Sequence, residues 1–98
     1  MKNGVTDMED TNIRNTRAKY FRQEYYADNA DAYTQCEFLL QYLQTFDSIT
    51  PLEALTAFGC LRLSARVADL RADGYNITTE IHKGKKNYAI YRLEENNG

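Results

Sequence analysis

The sequence predicts a small α+β domain with a helical arm, three core helices and a C-terminal two-stranded hairpin. Three observations carry this. Two Thr-x-x-Glu boxes, Thr34 to Glu37 and Thr50 to Glu53, each open an apolar stripe at helical spacing. Gly59 and Gly74 stand where the second and third stripes end, as left-handed helix stops. After Gly74 the apolar period changes from helical to alternating, on both sides of a loop with three lysines and a glycine.

The arm is expected over residues 13–30, where Ala18, Phe21 and Tyr25 recur at i, i+3 and i+7 among four basic side chains. Residues 1–12 are poor in apolar side chains and are expected to be flexible. Asp28, Asn29 and Asp31 interrupt the arm. The first core helix follows Thr34, with Cys36, Leu39, Leu40, Leu43 and Phe46 on one face. Phe38 and Tyr42 fall on another flank, where either the arm covers them or they form a sticky patch. Covering is favoured. Ile49 reads as a short strand or bridge. Thr50-Pro51-Leu52-Glu53 then starts the second core helix, with Leu52, Leu55 and Phe58 as its expected buried face. The third spans about Leu61 to Asp73 on an inner stripe of Leu63, Val67 and Leu70. A rotation of about 100° per residue sends Leu61, Arg62, Ala65, Ala68, Asp69 and Ala72 to its outer half. Residues 77–82 and 88–93 alternate as strands around Lys83-Gly84-Lys85-Lys86-Asn87, and residues 94–98 are expected to fray.

A chain of 98 residues holds one hydrophobic core. With 43% apolar and 27% charged residues it has the composition of a globular domain. No apolar stretch approaches the roughly 18 residues of a membrane span. The polar, acidic start is no signal peptide, so a cytoplasmic protein is expected. Cys36 and Cys60 read as reduced core thiols. Without C-x-x-C or a histidine cluster, no metal or other cofactor is expected. His82 is the only histidine, and it lies in a charged, strand-like stretch, so an enzyme is not expected.

The net charge of −2 averages two unlike halves: −3 over residues 1–47 and +3 over residues 48–93. A partner responds to the local field, so this division leaves DNA open as a partner.

Helix, short strand, helix, tight turn, helix and hairpin is the order of a winged helix-turn-helix domain, the hairpin being the wing. Residues 31–93 are assigned to it. Within them, Ile49-Thr50-Pro51-Leu52-Glu53-Ala54, Phe58-Gly59-Cys60, Arg62-Leu63-Ser64-Ala65-Arg66, Asp69-Leu70-Arg71 and Gly74-Tyr75-Asn76-Ile77 resemble a family of small helix-turn-helix domains. That family is common in bacteriophages, prophages and mobile elements. The resemblance covers about residues 34–93 and implies a winged-helix fold and DNA binding, as a transcriptional regulator or DNA-architecture factor. It also implies a second option, because small phage proteins often block host machinery, including defence complexes.

For double-stranded DNA, the candidate contacts are Arg62, Ser64, Ala65, Arg66 and Asp69 on the third core helix, with Lys83, Lys85, Lys86 and Asn87 on the wing. Arginine matches guanine edges, while lysines straddle the phosphate backbone. Arg66 lies within i,i+3 reach of Asp69 and is weighed as mainly structural. Arg71 is expected to tether the helix end to the wing or to Asp73. For a protein partner, the candidates are Phe21, Tyr25, Tyr26, Asp28, Asp31, Phe38 and Tyr42. The arm's aromatic stripe is also a candidate homodimer contact, ahead of DNA contact through Arg14, Arg17, Lys19 and Arg22.

Overall fold

The computed structural model describes residues 6–94, with side chains from residue 11 onward. Helix α1 (Thr6–Phe21) continues through a π-helical turn, Arg22–Tyr26, into a last helical stretch, Ala27–Asn29. Then come α2 (Gln35–Phe46), β1 (Ser48–Ile49), α3 (Pro51–Phe58), α4 (Leu63–Ala72), β2 (Ile77–His82) and β3 (Tyr88–Leu93). This is the expected α+β winged helix with an N-terminal helix. The arm starts earlier than Ile13, at Thr6. The expected frayed tail falls on residues 95–98, outside the described residues, as do residues 1–5. Glu94 is anchored: its amide donates to the Asn76 carbonyl at 2.8 Å and its carboxylate accepts from Thr78.

Both capping boxes form. Thr34 Oγ1 accepts from the Glu37 amide at 3.2 Å, while Glu37 Oε1 accepts from the Thr34 amide at 2.8 Å. Thr50 and Glu53 do the same at 3.3 and 2.9 Å. Each box satisfies two amides that a helix start would otherwise leave open. At the C-termini the backbone turns left-handed. Gly59 (φ 69°) ends α3, with its amide on the Leu55 carbonyl at 3.0 Å, and Gly74 (φ 103°) follows α4. Asp47 does the same for α2 at φ 73°, a conformation that aspartate tolerates better than most residues.

The sheet has the order β1-β3-β2 and is antiparallel throughout. Its hairpin runs from Ile77 opposite Leu93 to His82 opposite Tyr88. The connecting loop is residues 83–87, as the sequence predicts. The short segment at Ile49 becomes β1, paired to Tyr91, and anchors the sheet between α2 and α3.

Two buried faces differ from expectation. In α3 the core side is Glu53, Ala54, Ala57 and Phe58, while Leu52 and Leu55 are exposed. The two alanines make a shallow surface on which α1 lies closely, bringing Ala18 and Phe21 into the core. In α2 the most buried side chains are Phe38, Leu39, Tyr42 and Leu43, with Cys36, Leu40 and Phe46 at the margin. The face rotates because the arm covers Phe38 and Tyr42. Phe21 lies 5.0 Å from the Tyr42 ring and 6.5 Å from that of Phe38. The π turn widens the helix after Phe21, and the consecutive Tyr25 and Tyr26 both meet Phe38, at 6.0 and 4.9 Å.

Candidate nucleic-acid interface

Helix α4 is held from beneath and from behind. Leu63, Val67 and Leu70 are buried, packed toward α2. Its C-terminal end is fixed to β2 by Arg71, which donates to the Ile77 carbonyl at 2.9 and 2.7 Å and to Thr79 Oγ1 at 2.8 Å. The expected tether is therefore to the wing. The other side of α4 is open, with Ser64, Ala68, Asp69 and Ala72 exposed and Ala65 half-buried. The N-terminal helix does not seal it, since α1 lies against α3.

Arg66 and Asp69 close on each other, Nε to Oδ2 at 3.0 Å. Cys36 belongs to this cluster, with its thiol 3.7 Å from Asp69 Oδ2 and 3.9 Å from the Arg66 carbonyl. Burial, and then the Asp69 carboxylate, push that thiol's pKa up. Cys36 is thus a half-buried group beside α4, and only Cys60 is a core thiol. Arg62 occupies the N-cap of α4 and is exposed, with Leu61 beside it. Unlike α2 and α3, α4 has no side-chain cap; its Ala65 and Arg66 amides donate to the Arg62 carbonyl, at 3.1 and 3.3 Å.

Lys83, Lys85, Lys86 and Asn87 are all exposed at the hairpin tip. Arg92, in the strand behind them, pairs with Glu80 at 2.6 Å. Among the described residues of the positive half, Arg66, Arg71 and Arg92 are therefore engaged. Arg62 and the three lysines form no ion pair among the described residues. Within the positive half, the cations available to an anionic partner stand at the start of α4 and at the tip of the wing; on the arm, Lys19 is exposed as well.

The arm's arginines have a different use. Arg14 Nη1 donates to Glu53 Oε1 at 2.8 Å and to Ser48 Oγ at 3.1 Å. Arg17 Nε donates to Glu53 Oε2 at 2.7 Å, and its Nη2 donates to the Ser48 carbonyl at 2.8 Å. The Tyr42 hydroxyl donates to Glu53 Oε2 at 2.6 Å. Glu53 itself is 1% exposed. The same carboxylate that caps α3 thus collects two guanidiniums and a phenol, a set the sequence reading missed. The same packing takes three of the protein-partner candidates inside. Phe21, Phe38 and Tyr42 are interior, while Tyr25 and Tyr26 are packed against the core. Tyr25 and Tyr26 are half-buried and keep part of their surface in solvent, and Asp28 and Asp31 are exposed. Arg22, though exposed, is also engaged, donating to the Thr56 carbonyl at 3.2 Å and lying over Tyr26.

Burial, and then the bond and charge of Glu53, raise the Tyr42 pKa above the ordinary tyrosine value of about 10. Above pH 10 the unfolded chain releases this proton while the folded chain keeps it. Stability present below pH 10 should therefore fall as pH rises, by about 1.4 kcal/mol per pH unit from this group. Urea titrations from pH 9 to 11 measure the slope, which should be shallower in Tyr42→Phe.

The family model described as "Winged helix-turn-helix domain" matches residues 34–96. This chain belongs to that family. No curated protein and no solved structure matches it. The winged domain begins at the cap of α2, so Glu53 lies inside it and Arg14 and Arg17 lie outside. Across this fold class the second helix of the helix-turn-helix is the one that enters the major groove, and α4 has that place here. No helix of the described residues is long and apolar enough to cross a membrane.

Proposed function

We propose that this winged helix binds duplex DNA, with α4 in the major groove and the lysine-rich wing on the phosphate backbone. The observation that carries the reading is the open outer side of α4, fixed to the wing through Arg71 and flanked by unpaired cations. Arg62, Ser64 and Ala65 stand at the leading end of the helix, where a groove-reading helix meets base edges. Lys83, Lys85 and Lys86, with Asn87, hold the backbone. Arg66 and Asp69 contribute as a neutral pair, which lets the aspartate approach DNA at little electrostatic cost. The cellular role that fits is a small transcriptional regulator or DNA-architecture factor. The resemblance in residues 49–77 supports a phage or mobile-element setting.

Titration of labelled duplex DNA at rising salt tests this. Three lysines on phosphates should give a log–log slope of about −3, at roughly 0.9 per neutralised phosphate. Changing the three wing lysines to alanine should flatten the slope by about 3 and weaken binding to all sequences alike. Arg62→Ala should cost about 1–3 kcal/mol on a preferred sequence and relax the choice of base there. Absent binding across a broad pool of duplexes, or binding indifferent to salt, overturns the proposal.

A further inference from the structure

Most polar side chains of α4 are already engaged. Arg66 and Asp69 hold each other, and Arg71 is bound to β2. Arg62 is exposed and makes no ion pair, and Leu61 beside it is 81% exposed. That leucine contributes nothing to the core, and the turn before it is already made by Gly59 and Cys60, whose amides are bonded to α3 carbonyls. A guanidinium with no ion pair among the described residues and a bare branched alkyl group therefore follow one another in the chain at the leading end of the helix.

On the major-groove edge these two groups have different complements. A guanidinium fits the O6 and N7 acceptors of guanine, while an alkyl group fits the C5-methyl of thymine. Resting on the reading that α4 enters the major groove, we infer that Leu61 and Arg62 read an adjacent thymine and guanine. Leu61 packs on the thymine methyl and Arg62 bonds the guanine edge. Arg66 and Asp69 each spend one group on the other, Nε on Oδ2, whereas Arg62 makes no ion pair among the described residues, so recognition by a free guanidinium falls first to Arg62.

Deoxyuridine pairs as thymidine does but lacks the methyl, which makes it the probe. Selection from a randomised duplex pool should enrich sequences in which a thymine neighbours a guanine. In the enriched duplex, deoxyuridine at the contacted thymine should weaken binding about fourfold, the effect of one buried methyl group. Leu61→Ala should remove most of that difference while leaving circular dichroism and Tm unchanged, because the side chain is outside the core. Replacing the guanine by 7-deazaguanine should weaken binding by the protein but not by its Arg62→Ala variant. A pool without enrichment, equal binding of the two duplexes, or a difference that survives in Leu61→Ala overturns the inference. So does 7-deazaguanine without effect. In each of these cases salt-dependent DNA binding would still stand, whereas failure to bind any duplex overturns both.

Discussion

Glu53→Ala should cost about 3–5 kcal/mol of folding free energy, the usual price of removing one partner from a buried ion pair. The carboxylate is 1% exposed and serves four donors: Arg14, Arg17, the Tyr42 hydroxyl and the Thr50 amide. Alanine strips all four at once, leaving guanidiniums of low exposure and a buried phenol without their acceptor. It also opens the α3 cap, which by itself is worth about 1 kcal/mol. Against a domain stability of about 5–15 kcal/mol, the loss brings the protein close to unfolding at ordinary temperature. Urea denaturation at 25 °C, followed by far-UV circular dichroism, measures it. Arg14→Ala combined with Glu53→Ala should lose less than the two single changes added together, with a coupling of about 1–3 kcal/mol. Strict additivity would show that the pair does not act as a unit.

Removing the arm, leaving residues 33–98, should abolish the folded state although the winged domain itself is retained. Phe38, Tyr42 and Phe58 would lose the cover of Phe21, which lies 6.5, 5.0 and 6.1 Å from their rings. Full burial of one such side chain is worth about 1.5–3 kcal/mol, so exposing three removes up to about 9 kcal/mol. That is comparable to the entire stability of a small domain. The truncated chain should show weak helical circular dichroism and exposed apolar surface by dye binding. A cooperative unfolding transition like that of the full chain would show instead that the arm is dispensable.

These two expectations concern the part of the molecule least legible from sequence. Local features were readable because they are made between residues a few positions apart. Thr34 meets Glu37, Thr50 meets Glu53, and the lysine loop falls between two alternating strands. The candidate DNA contacts were placed by helical periodicity, and periodicity also anticipated the Arg66–Asp69 pair. The arm was harder. Arg14 and Arg17 find Glu53 across 39 and 36 residues, a separation that no spacing rule reaches. A signal was nonetheless present: Arg14 falls inside the apolar stripe of Ala18 and Phe21 on the helical wheel, where a solvated arginine does not belong. In α3 the leucines suggested the wrong face, because the inner side is set by what α1 can approach, and two alanines allow the closer approach.

What the chain determined alone is the order of its elements, their stops and caps, and the class of fold, since each follows from backbone hydrogen bonds closed within one turn. Which charges are spent inside and which remain for a partner was decided only in three dimensions. Arginines at 14, 17, 22, 66, 71 and 92 find acceptors within the fold, while among the described residues Arg62 and the wing lysines do not. Charge acts through space, and only packing brings distant carboxylates and carbonyls within reach of a guanidinium.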